Sequence, residues 1–332
     1  MKRIAAVATT KAAGLFSTAR GHFWTVAPLA SDRLSPLPLA AGTPFRQRFV
    51  DPRVGPIEVT GALHRPPGGG DDRLVVALHG VGGDIDSHYV KRATLAALDQ
   101  GIACLRLNMR GADMSGSDFY HAGLSADLHH ALESPVLAGF RRIAMIGYSL
   151  GGHLVLRYAL DRPDARLGAI AAVCAPLDLA QASRDIDHPA RSPYRRHVMT
   201  SLRAMARATH RRRGLPIPLE GIGRIRRFRD WDSLIVAPRF GFCDADDYYA
   251  RASVAPALGR LAHPTLFVGA PHDPMVLPRA IAPALRSASK AIQSHWLPRG
   301  GHVGFPADVD LGVDAPPGLE PQAIAWLIER LR

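Results

Sequence analysis

The stretch Gly147-Tyr148-Ser149-Leu150-Gly151 decides the fold of this chain, because it places a serine between two glycines at the end of an apolar run. The run before it, residues 142–146, predicts a short buried strand, and residues 152–160 predict a helix that ends before Pro163. A sharp turn between such a strand and helix leaves no room for side chains two positions either side of the serine. We therefore predict that Ser149 is a nucleophile whose Oγ is lifted clear of a sheet.

Strand-like and helix-like segments alternate on both sides of this turn. Apolar runs predict strands at residues 57–64, 74–78, 102–107, 167–174, 264–269 and 291–297, and helical periods fall at 87–100, 121–133 and 321–331. Such alternation predicts an α/β fold with one mostly parallel sheet and helices on both of its faces. Residues 1 to about 50 show no clear period, so no element is predicted there.

A mainly helical insertion interrupts the alternation at about residues 178–254. Within it, Pro193 suits a first helical turn, and Tyr194, Val198 and Leu202 share one helix face. We predict a single domain over residues 1–332, in which the insertion forms a lid over the strand ends.

The insertion also holds most of the positive charge. Residues 184–230 contain thirteen arginines and four acidic residues, so this segment carries +9 of the formal net charge of +12. A basic amphipathic helix is typical of proteins that lie on anionic surfaces, which suggests peripheral membrane contact. The alternative is a solvated charged face, the commoner meaning of a charge run. We expect no nucleic-acid binding, because the arginines lack interleaved aromatic residues and a binding motif.

Composition is that of an ordinary globular protein, with 47% hydrophobic and 21% charged residues. No apolar run approaches the roughly 18 residues that span a bilayer, so we expect no transmembrane helix. Residues 1–10 are not predicted to be a signal peptide, since Lys11 interrupts the apolar stretch. The cysteines Cys104, Cys174 and Cys243 occur singly. We therefore expect a reducing, cytoplasmic location, and we predict neither a metal site nor a cofactor.

A serine hydroxyl becomes a useful nucleophile when a histidine takes its proton and a carboxylate orients that histidine. Asp273 and His302 each follow a late apolar strand, and the chain order Ser, Asp, His is the order found in α/β-hydrolases. We predict a catalytic triad of Ser149, Asp273 and His302. Asp178, which follows an earlier strand, is the competing acid, because an aspartate before a proline is often only a turn former.

Two backbone N–H groups are predicted to stabilise the oxyanion of a tetrahedral intermediate. One belongs to Leu150, at the start of the helix after Ser149. The other belongs to Val81, in a glycine-rich turn that follows a buried strand. His79, in the same turn, is predicted to support the loop, and His153 is predicted to pack within its helix.

Beyond these motifs, the chain resembles the YheT-like esterases, the type 4 family of α/β-hydrolases. The resemblance covers most of the chain and is carried by residues 78–80, 108–111, 147–152, 240–249, 272–274 and 300–305. Residues 21–25 also resemble the family's N-terminal His-x-Gln-Thr segment, although Trp24 stands where glutamine is usual. A second departure is Ala112-Asp113, which predicts a differently shaped loop near the site. The resemblance implies ester hydrolysis by Ser149, Asp273 and His302.

The preferred function is the hydrolysis of carboxylic esters through an acyl-serine intermediate. The expected substrate is a small-molecule ester, with lipid-like or anionic esters as the open possibilities. An acyltransferase or a thioesterase would use the same triad with a different acceptor or substrate. A non-catalytic binder of anionic surfaces, acting through the arginine-rich insertion, is the alternative from a different class.

Overall fold

A computed structural model describes residues 11–161 and 163–331. The expectation about a signal peptide concerns residues 1–10 and so lies outside this part of the chain. No helix in the described ranges is long and apolar enough to cross a membrane.

The centre of the molecule is an eight-stranded sheet. Its strands are β1 (Thr43–Asp51), β2 (Gly55–His64), β3 (Arg73–Leu78), β4 (Ala103–Leu107), β5 (Arg142–Tyr148), β6 (Leu167–Val173), β7 (Thr265–Gly269) and β8 (Ile292–Trp296). Their spatial order is β1-β2-β4-β3-β5-β6-β7-β8. β2 runs antiparallel to both of its neighbours, and all other pairs are parallel. The sheet is therefore mostly parallel, as predicted.

The helices number twelve among the described residues. They are α1 (Lys11–Leu34), α2 (His88–Asp99), α3 (Ala126–Leu132), α4 (Leu150–Leu160), α5 (Leu179–Asp187), α6 (Ser192–Arg213), α7 (Leu219–Arg224), α8 (Phe228–Trp231), α9 (Ala237–Phe240), α10 (Ala245–Ala252), α11 (Ala282–Arg286) and α12 (Leu319–Glu329). A π-helix, Asp232–Val236, joins α8 to α9. Short 3-10 helices lie at Pro135–Leu137, Pro189–Arg191, Ala255–Arg260 and Pro278–Ala280.

The sheet is buried on both faces, which explains why its central strands are continuous apolar runs. In β3, Leu74, Val76 and Leu78 contribute to one hydrophobic cluster, which also contains residues of α3 and α4. Val75 and Ala77 point to the other face, where residues of α2 and α12 complete a second cluster. The prediction of helices on both faces of the sheet is confirmed.

The helix predicted at residues 121–133 is shorter than expected and begins only at Ala126. Two backbone N–H groups at its predicted start are bonded to side chains. Ala122 N–H donates to the Tyr248 hydroxyl at 2.9 Å, and Gly123 N–H donates to His121 Nδ1 at 3.1 Å. The tertiary bond to Tyr248 and the local bond to His121 override the helical period, because they hold the backbone there as a turn.

The insertion lies between β6 and β7, and it contains α5 through α10. It is mainly helical, as the sequence indicates. Its longest helix is α6, whose buried residues include Val198, Leu202 and Met205, so the predicted apolar face does pack inward.

Candidate active site

Ser149 stands on the sharp turn between β5 and α4, in a left-handed backbone conformation with φ of 53° and ψ of −119°. Such a conformation costs a non-glycine residue about 1–3 kcal/mol and is held by its surroundings. The Ser149 N–H donates to the Val173 carbonyl at 2.8 Å. A Cβ on Gly147 would lie 2.2 Å from the Gly151 oxygen, and one on Gly151 would lie 2.4 Å from the His79 oxygen. Both glycines are therefore required sterically.

Asp273 and His302 are brought together from the loops after β7 and β8. His302 Nδ1 lies 2.9 Å from Asp273 Oδ2, and the two residues are 5% and 2% exposed. The N–H groups of Met275 and Val276 donate to Asp273 Oδ1 at 2.8 and 3.0 Å. Since an ionised carboxylate only accepts, Nδ1 carries the imidazole proton, which leaves the lone pair of the neutral ring on Nε2.

The parallel order β5-β6-β7-β8 brings the loops after β7 and β8 to the same sheet edge as the turn that carries Ser149. Cys174 directly follows the residue to which Ser149 N–H donates. The Cys174 sulfur and the facing atoms of Asp273 and His302 lie within 4.8 Å of one another. Among the described residues, no hydrogen bond yet joins Ser149 Oγ to His302. Such contacts are often long in structures without substrate.

The competing acid, Asp178, has a different position. It caps the N-terminus of α5, where its Oδ1 accepts the N–H of Gln181 at 2.9 Å. It is Asp273, and not Asp178, that the fold brings to His302.

The backbone N–H groups of Val81 and Leu150 have no hydrogen-bond partner among the described residues. Both residues line the same cavity as Ser149. The turn that carries Val81 is fixed on either side, since Gly80 N–H donates to the Tyr89 hydroxyl at 3.1 Å and Gly82 N–H donates to the Tyr120 hydroxyl at 2.7 Å. The predicted oxyanion donors thus sit in a rigid frame beside the serine.

His79 and His153 are held by backbone groups. His79 Nδ1 donates to the Gly80 carbonyl at 2.8 Å, and its Nε2 accepts the N–H of Met109 at 3.0 Å. Complete burial lowers the pKa of His79 to about 4. His153 lies between the carbonyls of Pro176 and Ala252, at 2.7 and 2.9 Å. Neither ring is free to exchange protons with a substrate, in agreement with the structural roles predicted for both.

A cavity of about 110 Å3 opens at Ser149. Residues of the insertion form most of its wall, and they are mainly apolar: Leu179, Ile186, Leu202, Phe228, Trp231 and Val236. A cavity with this lining suits an apolar organic group. The insertion therefore forms most of the wall of the cavity that Ser149 also lines.

The N-terminal helix α1 supports the two loops that carry Asp273 and His302. The His302 N–H donates to Thr25 Oγ1 at 2.8 Å, and that hydroxyl donates to the Gly21 carbonyl at 2.7 Å. A Cβ on Gly301 would lie 2.2 Å from the Gly21 oxygen. Sequence reasoning did not assign Thr25, although the resemblance of residues 21–25 to a family segment was the signal for it.

The same helix contacts the insertion. His22 Nδ1 and the Tyr194 hydroxyl of α6 are 2.5 Å apart, and the two rings stack with centroids 5.6 Å apart. Helix α1 thus touches the catalytic loops and the insertion at once.

One group of metal-type side chains occurs in the described part of the chain, and it comprises Cys174, Asp273 and His302. Burial raises the pKa of the Cys174 thiol well above its usual value, which disfavours the thiolate that binds metals. Asp273 Oδ2 is already bonded to His302 Nδ1. These donors fit an acid and base pair better than a metal site.

Comparisons with known proteins agree with this geometry. Residues 75–313 match the alpha/beta hydrolase family. The chain is 31% identical over 270 residues to the Escherichia coli protein named "Putative esterase YheT", covering 79% of each chain. It is 25% identical to the embryogenesis-associated protein EMB8 of Picea glauca, over 73% of this chain and 55% of that one. Among solved structures, 2,6-dihydroxy-pseudo-oxynicotine hydrolase superposes with a TM-score of 0.58 at 17% identity, over 97% of this chain and 76% of that one.

The chain therefore belongs to the alpha/beta hydrolase family. Its identity to the Escherichia coli protein, spread over most of both chains, places it among the YheT-like members of that family. The family resemblance read from the sequence motifs is confirmed.

Proposed function

We propose that this protein hydrolyses carboxylic esters through an acyl-serine intermediate. Ser149 is the nucleophile, His302 the general base and Asp273 the residue that orients the base. The observation that carries the proposal is the 2.9 Å bond between His302 Nδ1 and Asp273 Oδ2, because it leaves Nε2 as the basic nitrogen. The name of the Escherichia coli relative supports the choice of an ester as the substrate.

In the first half-reaction, Ser149 Oγ attacks the ester carbonyl while His302 Nε2 takes the hydroxyl proton. The positive charge that develops on the imidazole is stabilised by Asp273, which is buried and fixed by two backbone N–H donors. His302 then returns the proton to the departing alcohol, and the acyl group remains on Ser149. In the second half-reaction, His302 activates a water that releases the carboxylic acid.

The free N–H groups of Val81 and Leu150 are proposed as the oxyanion hole. A preorganised donor of this kind is worth about 3–4 kcal/mol in the transition state. The backbone of Ser149 has a positive φ, and the residue lines the cavity in which the ester would bind.

The insertion is proposed to act as a lid at residues 178–254. Its mainly apolar wall supports an acyl or alkyl group as the part of the substrate that fills the cavity. A thioesterase would use the same residues on a thioester substrate. An acyltransferase would use them with an acceptor that outcompetes water.

The test is the substitution Ser149→Ala, which removes one oxygen and leaves the turn intact. We expect it to abolish turnover of p-nitrophenyl esters and covalent labelling by a fluorophosphonate. Ser134→Ala is the matched control, because it removes a buried serine hydroxyl outside the cavity and should still be labelled. Labelling of the Ser149→Ala variant at the wild-type rate would refute the proposal.

A further inference from the structure

The cavity wall carries one polar cluster that the proposed reaction does not use. Asp232, Tyr249 and Ser183 all line the cavity that opens at Ser149. The Tyr249 hydroxyl donates to Asp232 Oδ2 at 2.6 Å, and Ser183 Oγ lies 2.8 Å from the Tyr249 hydroxyl. The three residues come from three elements, namely the π-helix, α10 and α5. Three separate segments thus converge on one point of an otherwise apolar wall.

Asp232 is the end of this hydrogen-bonded chain. Its side chain is more than nine-tenths buried, since the residue is 7% exposed. Oδ2 is bonded to Tyr249, whereas Oδ1 has no hydrogen-bond partner in the described ranges. Asp232 lines the cavity, so a carboxyl oxygen that has no protein partner there is available to a polar group of a ligand.

The surroundings of Asp232 favour its protonated carboxyl. Burial is the largest effect and raises the pKa of this carboxyl to about 7. The charge of Asp187 acts in the same direction, whereas the hydrogen bond from Tyr249 and the charge of Arg229 lower the pKa. Arg229 is itself paired with Asp246, at 2.8 and 2.7 Å. Asp187 accepts the N–H groups of Phe228 and Arg229. No cation within the described part of the chain forms a hydrogen bond or an ion pair with Asp232.

We propose that Asp232, supported by Tyr249 and Ser183, is a specificity subsite that binds a hydroxyl group on the apolar part of the substrate. The proposal rests on the proposed esterase function and names its substrate class: esters whose acyl chain carries a hydroxyl. Oδ1 is the atom that meets the hydroxyl. A plain alkyl chain leaves this oxygen unpaired and therefore binds less well.

A hydroxyl fits this subsite better than an ammonium group. A hydroxyl accepts a hydrogen bond from the protonated carboxyl and donates one to the ionised carboxyl, so it binds in either state. An ammonium group would have to be desolvated in an apolar cavity, beneath an insertion whose residues 184–230 carry a net charge of +9. Both effects disfavour a cation.

The experiment compares p-nitrophenyl esters of increasing chain length with their ω-hydroxy and ω-amino counterparts, using the full chain. At the chain length that reaches Asp232, we expect kcat/KM for the hydroxy ester to exceed that for the plain ester by about tenfold. Asp232→Ala should remove this preference. Asp230→Ala is the matched control, because it removes the same charge from an exposed residue outside the cavity. It should keep the preference.

Three results would overturn the proposal: equal rates for plain and hydroxy esters at every chain length, a hydroxyl preference that survives in Asp232→Ala, or a stronger preference for the ω-amino ester. Turnover of plain esters reports separately on the proposed function, because these substrates do not need the subsite.

A binding measurement covers the case in which Asp232→Ala does not fold. Calorimetry of the Ser149→Ala variant with ω-hydroxy and plain fatty acids of equal length measures the subsite without any turnover. We expect the hydroxy acid to bind about tenfold more tightly at one length. Equal affinities at all lengths would contradict the subsite even if the protein proves to be an esterase.

Discussion

The acid of the proposed triad is assigned from a single contact, because Asp273 reaches His302 and Asp178 caps a helix. Asp273→Asn should lower kcat by about 10⁴, since an amide there favours the wrong imidazole tautomer. Asp178→Asn is the natural control, because asparagine caps helices as well as aspartate does and should leave activity nearly unchanged. Steady-state turnover of a short-chain ester measures both. A larger loss in Asp178→Asn would reverse the assignment.

Thr25 is proposed to position His302, because its hydroxyl contacts the proposed site only through the His302 N–H. Thr25→Val keeps the shape of the side chain and leaves the His302 N–H without its acceptor, which should lower kcat with little change in KM. Thr25→Ser should restore most of the rate. Single-turnover labelling by a fluorophosphonate should slow in parallel with kcat.

Thr200→Val is the matched control for this effect. The Thr200 hydroxyl also donates to a carbonyl one helical turn back, that of Arg196 at 2.9 Å, but it lies on the exposed face of α6. Equal losses of rate in the two valine variants would mean that Thr25 matters only for the stability of its helix.

At the scale of elements, six of the thirteen arginines at residues 184–230 donate to backbone carbonyls, namely Arg191, Arg195, Arg196, Arg203, Arg212 and Arg213. Arg195 donates to the carbonyls of Ile186, Asp187 and His188, and Arg213 donates to those of Val54 and Pro56. These bonds hold α6 in place. A carbonyl does not neutralise a guanidinium, so the positive field of the insertion persists.

The hypothesis that the insertion attracts anionic substrates or surfaces is therefore tested best with arginines whose side chains make no hydrogen bonds within the protein. Arg226 and Arg227 are exposed, and their side chains have no hydrogen-bond partner among the described residues. We expect the double change to glutamine to raise KM for an anionic ester and to leave a neutral ester unaffected. Added salt should mimic it, because the Debye length falls from about 10 Å at 0.1 M to about 3 Å at 1 M.

The same double change at Arg46 and Arg48, on β1, is the control. These two arginines lie outside the insertion and pair with Glu58, so their loss should not change KM for the anionic ester. If both double variants and both esters respond alike, the arginines form only a solvated face.

At the scale of the whole molecule, buried carboxyls make stability depend on pH. Glu320, on α12, is buried, and burial raises its pKa to about 7 from a usual value of 4.5. The stability that this group contributes is fully present below its unfolded pKa and is lost as pH rises through about 7. Each unit of pKa shift corresponds to about 1.4 kcal/mol.

Glu320→Gln removes that dependence. Relative to the wild type, the free energy of unfolding of the variant should increase between pH 5 and pH 8. Urea denaturation at the two pH values measures the difference. Glu329→Gln changes an exposed glutamate on the same helix and should show no such trend. If the difference in free energy of unfolding between Glu320→Gln and the wild type does not change with pH, the raised pKa of Glu320 is refuted.

The sequence predicts the sheet well, because strands buried on both faces are continuous apolar runs, as in residues 74–78. It also predicts Ser149, Asp273 and His302, since glycines and strand ends mark their positions. It does not predict that α3 begins late, because Ala122 N–H is bonded to Tyr248, far away in the chain. Asp232 also carries no local signal, because its burial arises from the packing of the insertion around the cavity.

The docking of α1 against the loop of His302 has a consequence for biosynthesis. Thr25 emerges from the ribosome 277 residues ahead of its partner. A nascent chain can form most of the sheet and the contact of α1 with Tyr194 before then, yet the bond from the His302 N–H to Thr25 forms only after the loop that follows β8 has been made. Synthesis of residue 302 therefore precedes any support of that loop by α1, and the proposed site is incomplete on shorter nascent chains.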